Sequence, residues 1–525
     1  MTIRVPDISI SLLPASHKVA NDEQKLLFVG QMTSAGTATT GSLYADIGNN
    51  ADQDTLFGKN SMLARMIRTA RIYNKVSRFD AIPLADNGSG NKAAGSIVFS
   101  GTAGAAGTFI ISIGSKSSNT KLSHIYSLPI AASETADAAG TALAALINAD
   151  TTCPVTAVNT TGSVALTAIH KGTEDNFIGI EVTGTIASLT YAVTGMTGGT
   201  SDPSLTTLYD VAQDVRYQRV IYPSYARTAT KTFLDARFNL DKKIRDGVGI
   251  DFMTNTKANI VTAVNAFNSQ SIVVGANKVI ASPTTFYVGS GIFELNTVIA
   301  SQIAAISALR LTTDSNLGQF ISASYGARDS FGGMHMASFP YFNTLLPDLS
   351  LEEAGNSFTD DELSALTTAG ALTIGNNIGN TSVIMGTAGT TYKTDTSSEP
   401  DPSFKYWEYV DTGVTCREYM YNNLRERFAQ SRLTTGSMIV GFSMANKEMI
   451  EAFITGLYSD LAAEALTRIG KDPDTGTDWF VYFKNNLDVI LDLSLGKATV
   501  SMLLPIVTQL RTMVISMQFS FSANS

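Results

Sequence analysis

Between about residues 205 and 345 short apolar runs alternate with stretches of helical periodicity, and this alternation restricts the fold more than any other feature of the chain. VIYPS (220–224), GIDFMT (249–254) and SIVVGA (271–276) read as strands. A helix through Phe233, Leu234 and Phe238 separates the first two, and another helix separates the second from the third. Strands joined through helices pair in parallel, because the crossover carries the chain back to the edge where it started. The segment therefore predicts an α/β layer with a partly parallel sheet. Two earlier runs fit the same sheet: Leu26 to Gln31, and FDAIPLAD (79–86), a buried strand ending in a turn. Between them, residues 60–74 carry Leu63, Met66, Ile67 and Ala70 at helical spacing.

If those early runs join the sheet, residues 94–198 are an insertion. Here the chain turns rich in Gly, Thr, Ala and Ser, with short strands GSIVFS, TFIISIG, HIYSLPI, VALTAI and FIGIEV and one helix, roughly Thr135 to Asn148. Such spacing predicts a small, self-contained, mostly β domain, closed by the linker-like TGMTGGTSDPS (194–204). In the last third, residues 404–432 and 443–468 read as helices, the second with Ile450, Phe453, Ile454, Leu457 and Leu461 in one apolar stripe. LDVILDLSL (487–495) and TMVISMQFSFS (512–522) read as strands.

Both ends of the chain alternate with period two. Ile8, Ile10 and Leu12 are interleaved with Ser9 and Ser11; Ile515, Met517, Phe519 and Phe521 are interleaved with Ser516, Gln518, Ser520 and Ser522. Each end is thus a strand with one apolar face. Two readings stand: the strands complete the chain's own sheet, or they are donated to a neighbouring subunit, where main-chain hydrogen bonds supply the binding.

A chain of 525 residues exceeds one ordinary core, so two to four domains are expected. With 44% hydrophobic and 16% charged residues it is a folded protein with much covered surface. A net charge of −9 disfavours a general nucleic-acid or anionic-membrane binder. Cys153 and Cys416 cannot build a disulfide framework. The start, MTIRVPDISISLLP, lacks the apolar core of a secretory signal, and no run approaches the roughly 20 apolar residues of a membrane span.

Chemical motifs are missing. His17, His124, His170 and His335 have no partner at metal-ligand spacing, and His124 and His170 read as structural. There is no nucleophile elbow and no phosphate loop. GTAGAAG (101–107) has the wrong glycine spacing for a dinucleotide turn and leads into a strand. Asp472, Asp474 and Asp478 alternate around Gly476, but without a bidentate Glu at the twelfth position they read as a solvated turn, not a calcium loop. Two basic stripes, Arg65, Arg68, Arg71 and Arg417, Arg425, Arg427, Arg432 (interleaved with Glu418 and Glu426), read as solvated helix faces or as polar contacts between subunits. No residue is assigned as catalytic, cofactor-binding or metal-binding, and no cofactor is expected.

Four stretches, in order, resemble the tail sheath proteins of Mu-like contractile phages. They are LFGKNSMLARMIRTARIYNKVSRFDAIPLAD (56–86); the insertion's SGTAGAAGTFIISIG, AGTALAALINAD and ALTAIHKGTEDNFIGIEVTG; YFNTLLPDL with FTDDELSALTTAG (341–370); and FKYWEYVDTGVTCREYMYNNLRERF (404–428). Two places depart from the family: VPDISISLLPAS stands where many contractile sheaths carry a Pro-Gly-Val-Tyr element, and TAGTTYKTDTSSEPDPS (387–403) reads as a local insertion or exposed loop.

The resemblance implies a mixed α/β (α+β), multidomain sheath fold. Its parts would be an N-terminal arm (1–20), the first part of an α/β core (21–93), an inserted β-rich outer domain (94–198), the remaining subtilisin-like α/β core (199–350), a helix-plus-strand C-terminal sheath domain (351–511) and a C-terminal arm strand (512–525). It also implies a non-enzymatic virion subunit, made in the bacterial cytoplasm, that stacks as hexameric rings around a tube and contracts to drive the tube through the host envelope. The implied partners are further copies of the chain, the tail tube protein, and baseplate, terminator and neck proteins, with no nucleic acid and no membrane insertion. Inter-subunit strand exchange falls to the two terminal strands, and polar contacts with the tube to Arg425 and Arg427. The sheath of a bacteriocin or contractile secretion machine is the near alternative. A hydrolase on the same scaffold lacks its nucleophile and base, and the α/β middle counts against a β-rich receptor-binding tail protein.

Overall fold

Strand β1 (Lys25–Gln31) is apolar on both faces, and both faces are covered. The computed structural model describes residues 24–240, 243–280, 287–310, 341–352, 355–436, 443–463 and 467–507. The described chain divides into a larger unit, residues 24–415 with 506–507, and a smaller one, residues 416–505.

In the larger unit β1 is followed by helices α1 (Asn50–Phe57) and α2 (Met62–Tyr73) and by β2 (Arg78–Leu84). The insertion supplies β3 (Lys92–Gly101), β4 (Gly107–Ile113), β5 (Ile125–Ile130), α3 (Ala136–Ala149), β6 (Val155–Thr160), β7 (Ser163–Lys171), β8 (Ile180–Thr183) and β9 (Leu189–Thr197). The core resumes with β10 (Arg219–Ile221), α4 (Arg227–Asp235), β11 (Val248–Asn255), α5 (Lys257–Asn265), β12 (Ile272–Ile280), β13 (Tyr287–Ser290) and α6 (Asn296–Arg310). Then come β14 (Leu345–Leu346), α7 (Asp360–Ala369), β15 (Leu372–Asn376), β16 (Val383–Ala388) and α8 (Trp407–Phe428).

The alternation of strand and helix gives the sheet that the sequence predicts. β2, β1, β10, β11 and β12 lie side by side, all parallel, with β15 parallel beyond β12. Alternate residues feed two cores. Leu26, Phe28, Phe79, Ala81, Ile221, Ile250 and Val273 pack under α2 and α6. Leu27, Val29, Ile82, Val220, Ile272 and Val274 pack against α4, α5 and α7 on the other face. Such two-sided burial is why these strands read as continuous apolar runs. The helices start where the sequence provides caps: Ser61 accepts from the Ala64 amide, Thr256 from Asn259, and Thr359 forms a capping box with Glu362. Helix α7 ends on Gly370 at φ 88°, where a Cβ would stand only 2.2 Å from the Thr390 carbonyl oxygen, so the turn requires glycine.

Several expectations need correction. Helix α4 stops at Asp235, short of Phe238, and the run closes at Asn239, whose φ is 56°. The Arg65–Arg68–Arg71 stripe is not solvated. Arg65 and Arg68 are buried, Arg68 pairs with Asp54 of α1 at 2.7 Å, and the Arg71 guanidinium lies 4.7 Å from the centre of the Phe79 ring. The 387–403 stretch is exposed only in part, since Thr390 and Thr391 are buried and Thr391 Oγ1 donates to the Ser269 carbonyl.

The inserted segment folds as predicted but is not self-contained. β6, β7, β3 and β9 form one antiparallel sheet backed by α3. β5, β4 and β8 form the other, and this one continues through β13 onto β12 of the core. Leu295 and Val298, at the start of α6, sit in the insertion's apolar core.

Near the start of α8 the larger unit holds a buried charge. Arg219, on β10, forms a two-pronged pair with Asp411 (2.7 and 3.1 Å), donates to Tyr341 Oη and Ser307 Oγ, and lies 4.8 Å from the Trp407 ring. Removing one member of a buried pair strands the other charge, which costs about 3–5 kcal/mol. Arg219→Met is therefore expected to lower stability by that order in urea unfolding, whereas Lys231→Met, on α4, which removes only the half-buried i,i+4 pair with Asp235, should change it by less than about 1 kcal/mol.

The smaller unit contains the rest of α8, a short parallel pair β17 (Arg432–Leu433) and β18 (Met444–Ala445), α9 (Lys447–Ala463), α10 (Trp479–Asn485) and a hairpin of β19 (Asp488–Asp492) and β20 (Lys497–Ser501). The predicted stripe on α9 is its core face: Ile450, Ile454 and Tyr458 pack with Phe483 and Val489, and Tyr458 stacks on Phe483 at 4.1 Å.

Candidate assembly surfaces

Helix α8 ends in a basic turn. Arg425 and Arg427 are both exposed there, where cations suit the partial negative charge of a helix C-terminus. With Asn422, Glu426, Gln430 and Ser443 they line a shallow groove of about 480 Å³. Arg427 also leans on the Phe428 ring at 5.6 Å. Such a surface offers polar, solvent-screened contacts and no enclosed pocket.

The hairpin β19–β20 is the second surface. Val489 faces the unit's core, while Ile490 beside it is 61% exposed and Leu495, in the connecting turn, is 74% exposed. Among the described residues the two strands pair only with each other. A two-stranded ribbon whose edges no other described strand takes up is a template for further strands; on its outer face Ile490 is surrounded by the polar Asp488, Asp492, Lys497, Thr499 and Ser501. The residues expected to supply such strands, Ile8, Ile10, Leu12, Ile515, Met517, Phe519 and Phe521, lie outside the described residues, as do His17 and His335.

Two histidines are structural, as expected. His170 is buried; its Nδ1 lies 3.0 Å from Asp86 Oδ1 and its Nε2 accepts the Met62 amide at 3.0 Å, which fixes the proton on Nδ1. His124 Nδ1 lies 2.8 Å from Asp150, which also accepts from Tyr126 and Thr152. Burial pulls the Asp150 carboxyl upward, but the hydrogen bonds from His124 and Thr152 outweigh it and hold the group well below the usual carboxylate range. The aspartate loop is likewise explained by backbone contacts: Asp472 accepts the amides of Asp474 and Thr475, and Asp478 caps α10. Among the described residues no group of three His, Cys, Asp or Glu is placed to hold a metal ion, and no helix is long and apolar enough to cross a membrane.

Sequence reasoning missed the buried acids where the insertion meets the core. Glu294 is buried and accepts from Ser115 Oγ at 2.6 Å and from the Leu295 amide. At the same junction the half-buried Asp348 accepts from Ser118 and Asn119. Glu174 accepts from Ser224 and Asn296. Apart from the Leu295 amide, each donor stands at least 50 positions from its acceptor, so no local pattern announces them.

No protein-family profile matches the chain. It is 33% identical over 154 residues to the Mu-like prophage FluMu tail sheath protein of Haemophilus influenzae; the match covers 29% of this chain and 30% of that relative's length. The resemblance read from the sequence is thus found again in a curated relative. Among solved structures the chain is similar to the sheath tail protein of Listeria innocua (10% identity, 93% of both chains, TM-score 0.44). It is also similar to the helical sheath of the anti-feeding prophage in its contracted state (12% identity, 98% and 99% of the chains, TM-score 0.47).

Two outcomes follow from the junction. Burial pushes the Glu294 carboxyl up from 4.5 to about 8, against the hydrogen bonds from Ser115 and Leu295. Below pH 4.5 both the folded and unfolded chains hold this proton; between there and pH 8 only the folded chain does, so this group's contribution to stability falls as pH rises. Glu294→Gln has no proton to lose. Its stability relative to wild type, measured by urea unfolding, should be greater at about pH 8 than at about pH 5. Replacing 94–198 with a Gly/Ser linker would bare Leu295, Val298 and the β13 edge. Each bared side chain costs about 1.5–3 kcal/mol, and the shortened protein is expected to aggregate at concentrations where the full chain remains soluble in sedimentation.

Proposed function

We propose that the chain is the structural subunit of a contractile phage tail sheath. The observation that carries this reading is the 33% identity over 154 residues to a Mu-like tail sheath protein, joined by four sequence stretches that resemble the family in the same order. In this reading copies stack as hexameric rings in a helical polymer around a tail tube, engage baseplate and neck proteins at the ends, and contract without a nucleotide to drive the tube through the host envelope. The subunit is not an enzyme. It acts as a virion component assembled in the host cytoplasm, with its inserted domain on the outside. The terminal arms are those expected from the sequence, at 1–20 and 512–525, but the described residues 351–415 go with the core sheet rather than the C-terminal domain expected from 351.

The hairpin β19–β20 supports the reading because its edges, with exposed Ile490 beside them, offer main-chain groups to which a neighbour's terminal strands can add. Each added strand would contribute main-chain hydrogen bonds of about 0.5–1.5 kcal/mol net apiece, and burial of Phe519 and Phe521 about 1.5–3 kcal/mol each. Ordering the arm costs about 1–2 kcal/mol per residue, so the net gain per arm is modest and becomes decisive only when repeated over a polymer. Purified protein should form rings or tubes in negative-stain microscopy. Deleting residues 1–14, or separately 512–525, should give folded, soluble, non-assembling protein by circular dichroism and sedimentation. Truncated protein that still builds contractile tubes would remove the strand-exchange reading.

Arg425 and Arg427 support a polar contact with the tube. Exposed ion pairs are worth about 0–1 kcal/mol each, weak enough to be given up on contraction. Changing both to glutamate should impair assembly on tubes more than assembly of empty sheath, and raised salt should reproduce part of that loss. Equal loss in both assays would move these arginines to a contact between subunits.

A further inference from the structure

The order β2-β1-β10-β11-β12 makes the gap between β1 and β10 the point where the sheet reverses direction. From β1 the chain builds outward to β2 on one side, and after the insertion it returns to the other side at β10. In doubly wound sheets the crevice beyond the carboxyl ends of the two strands at such a point is where ligands bind. Here the crevice is filled from within the chain, by residues 170–175 of the insertion.

The contacts are those a small anion would make. Ser224 opens the turn Ser224–Ala226, which follows β10 and runs directly into α4. Its hydroxyl donates to Glu174 Oε2 at 2.7 Å and its amide donates to the same oxygen at 3.3 Å. The other carboxylate oxygen accepts from Asn296 Nδ2 at 3.3 Å, at the first residue of α6, and Asn296 is itself held by Thr254 at the end of β11. Beside it His170 accepts the amide of Met62, the first residue of α2. Gln31, the last residue of β1, donates to Asp86 and to the Lys171 carbonyl, both at 2.7 Å, and accepts from Tyr225 at 3.2 Å. Glu174 and His170 are both buried. The chain thus presents a carboxylate to an amide, a hydroxyl and a side-chain amide that converge from the core.

We propose that the switch-point crevice of the core is a carboxylate-binding site whose ligand is Glu174 of the inserted domain. The insertion is seated on the core as a built-in ligand, in addition to its β8–β13 pairing, and the crevice is closed to solutes while Glu174 occupies it. Desolvation, together with nearby Asp251 and Asp175, pushes this carboxyl up to about 7 against the Ser224 and Asn296 hydrogen bonds, so the crevice receives it near neutral pH as a carboxyl only partly ionised.

Hydrogen exchange read by mass spectrometry tests this on the full chain. In Glu174→Ala, peptides covering 170–177 and 222–227 should exchange about tenfold faster or more, while β11 and β12 remain unchanged. Sodium acetate at about 100 mM should restore protection to this variant by filling the vacated position, and sodium chloride at equal concentration should not. Glu174→Asp keeps the charge but withdraws it by one methylene; it should exchange between the two, and it carries the test should the alanine variant fail to fold. Wild-type protection in Glu174→Asp overturns the assignment. So does a failure of acetate to protect Glu174→Ala, or equal protection by chloride.

Discussion

The larger unit depends on the burial of β1 from both sides. Leu26 and Phe28 face one helical layer, Leu27 and Val29 the other, and all four are fully covered. A strand covered in this way must have paired neighbours on both edges, because an unpaired buried amide or carbonyl costs as much as a lost hydrogen bond. β2 and β10 supply them, although the whole insertion separates β1 from β10 in sequence. The insertion can occupy that interval because the sheet fixes both of its ends. β2 leads into it, and β10 receives the chain afterwards.

Local periodicity made this core legible. Unbroken apolar runs, and apolar residues at helical spacing between runs, are properties of a few adjacent residues, and β1, α2, β2, β11 and β12 follow them closely. What was not legible depends on distant partners. The arginines of α2 look like a solvated stripe until α1, whose own sequence is polar, is seen to offer Asp54 to Arg68, and Asp175 and Glu294 are seen to lie near Arg65. The insertion looks self-contained because its strands alternate regularly. Only the structure brings in β13, a four-residue strand that extends the sheet of β8. Arg425 and Arg427 were legible as exposed residues because a C-terminal basic turn is local, but what they face is not encoded near them.

The junction between insertion and core is notable for the polarity of its contacts. Apolar packing would hold the two parts together equally well over a wide range of pH. Glu174 and Glu294 instead place two buried carboxyls there, each pushed well above the ordinary glutamate range by loss of water and each satisfied by donors from the other side of the junction. A buried carboxyl with its donors in place specifies one docking geometry, because any slippage leaves a polar group without water or partner. The cost is a dependence on protonation that an apolar joint would not have.

The proposed sheath needs interactions of two strengths, and the chain separates them by burial. Inside the larger unit Arg219–Asp411 and Arg227–Asp251 are buried pairs with good geometry. Breaking either strands a charge at about 3–5 kcal/mol, so that unit has every reason to move as a body. The exposed arginines of α8 and the edges of β19–β20 have no such commitment among the described residues. Ion pairs in water can be exchanged for others of similar strength at little net cost, whereas a strand added by main-chain hydrogen bonds is lost only when several bonds break together. A polymer that must rearrange without falling apart requires both kinds of contact, screened charges where surfaces slide and backbone pairing where neighbours must stay joined, and in the smaller unit these two kinds of surface lie on different elements of the same fold.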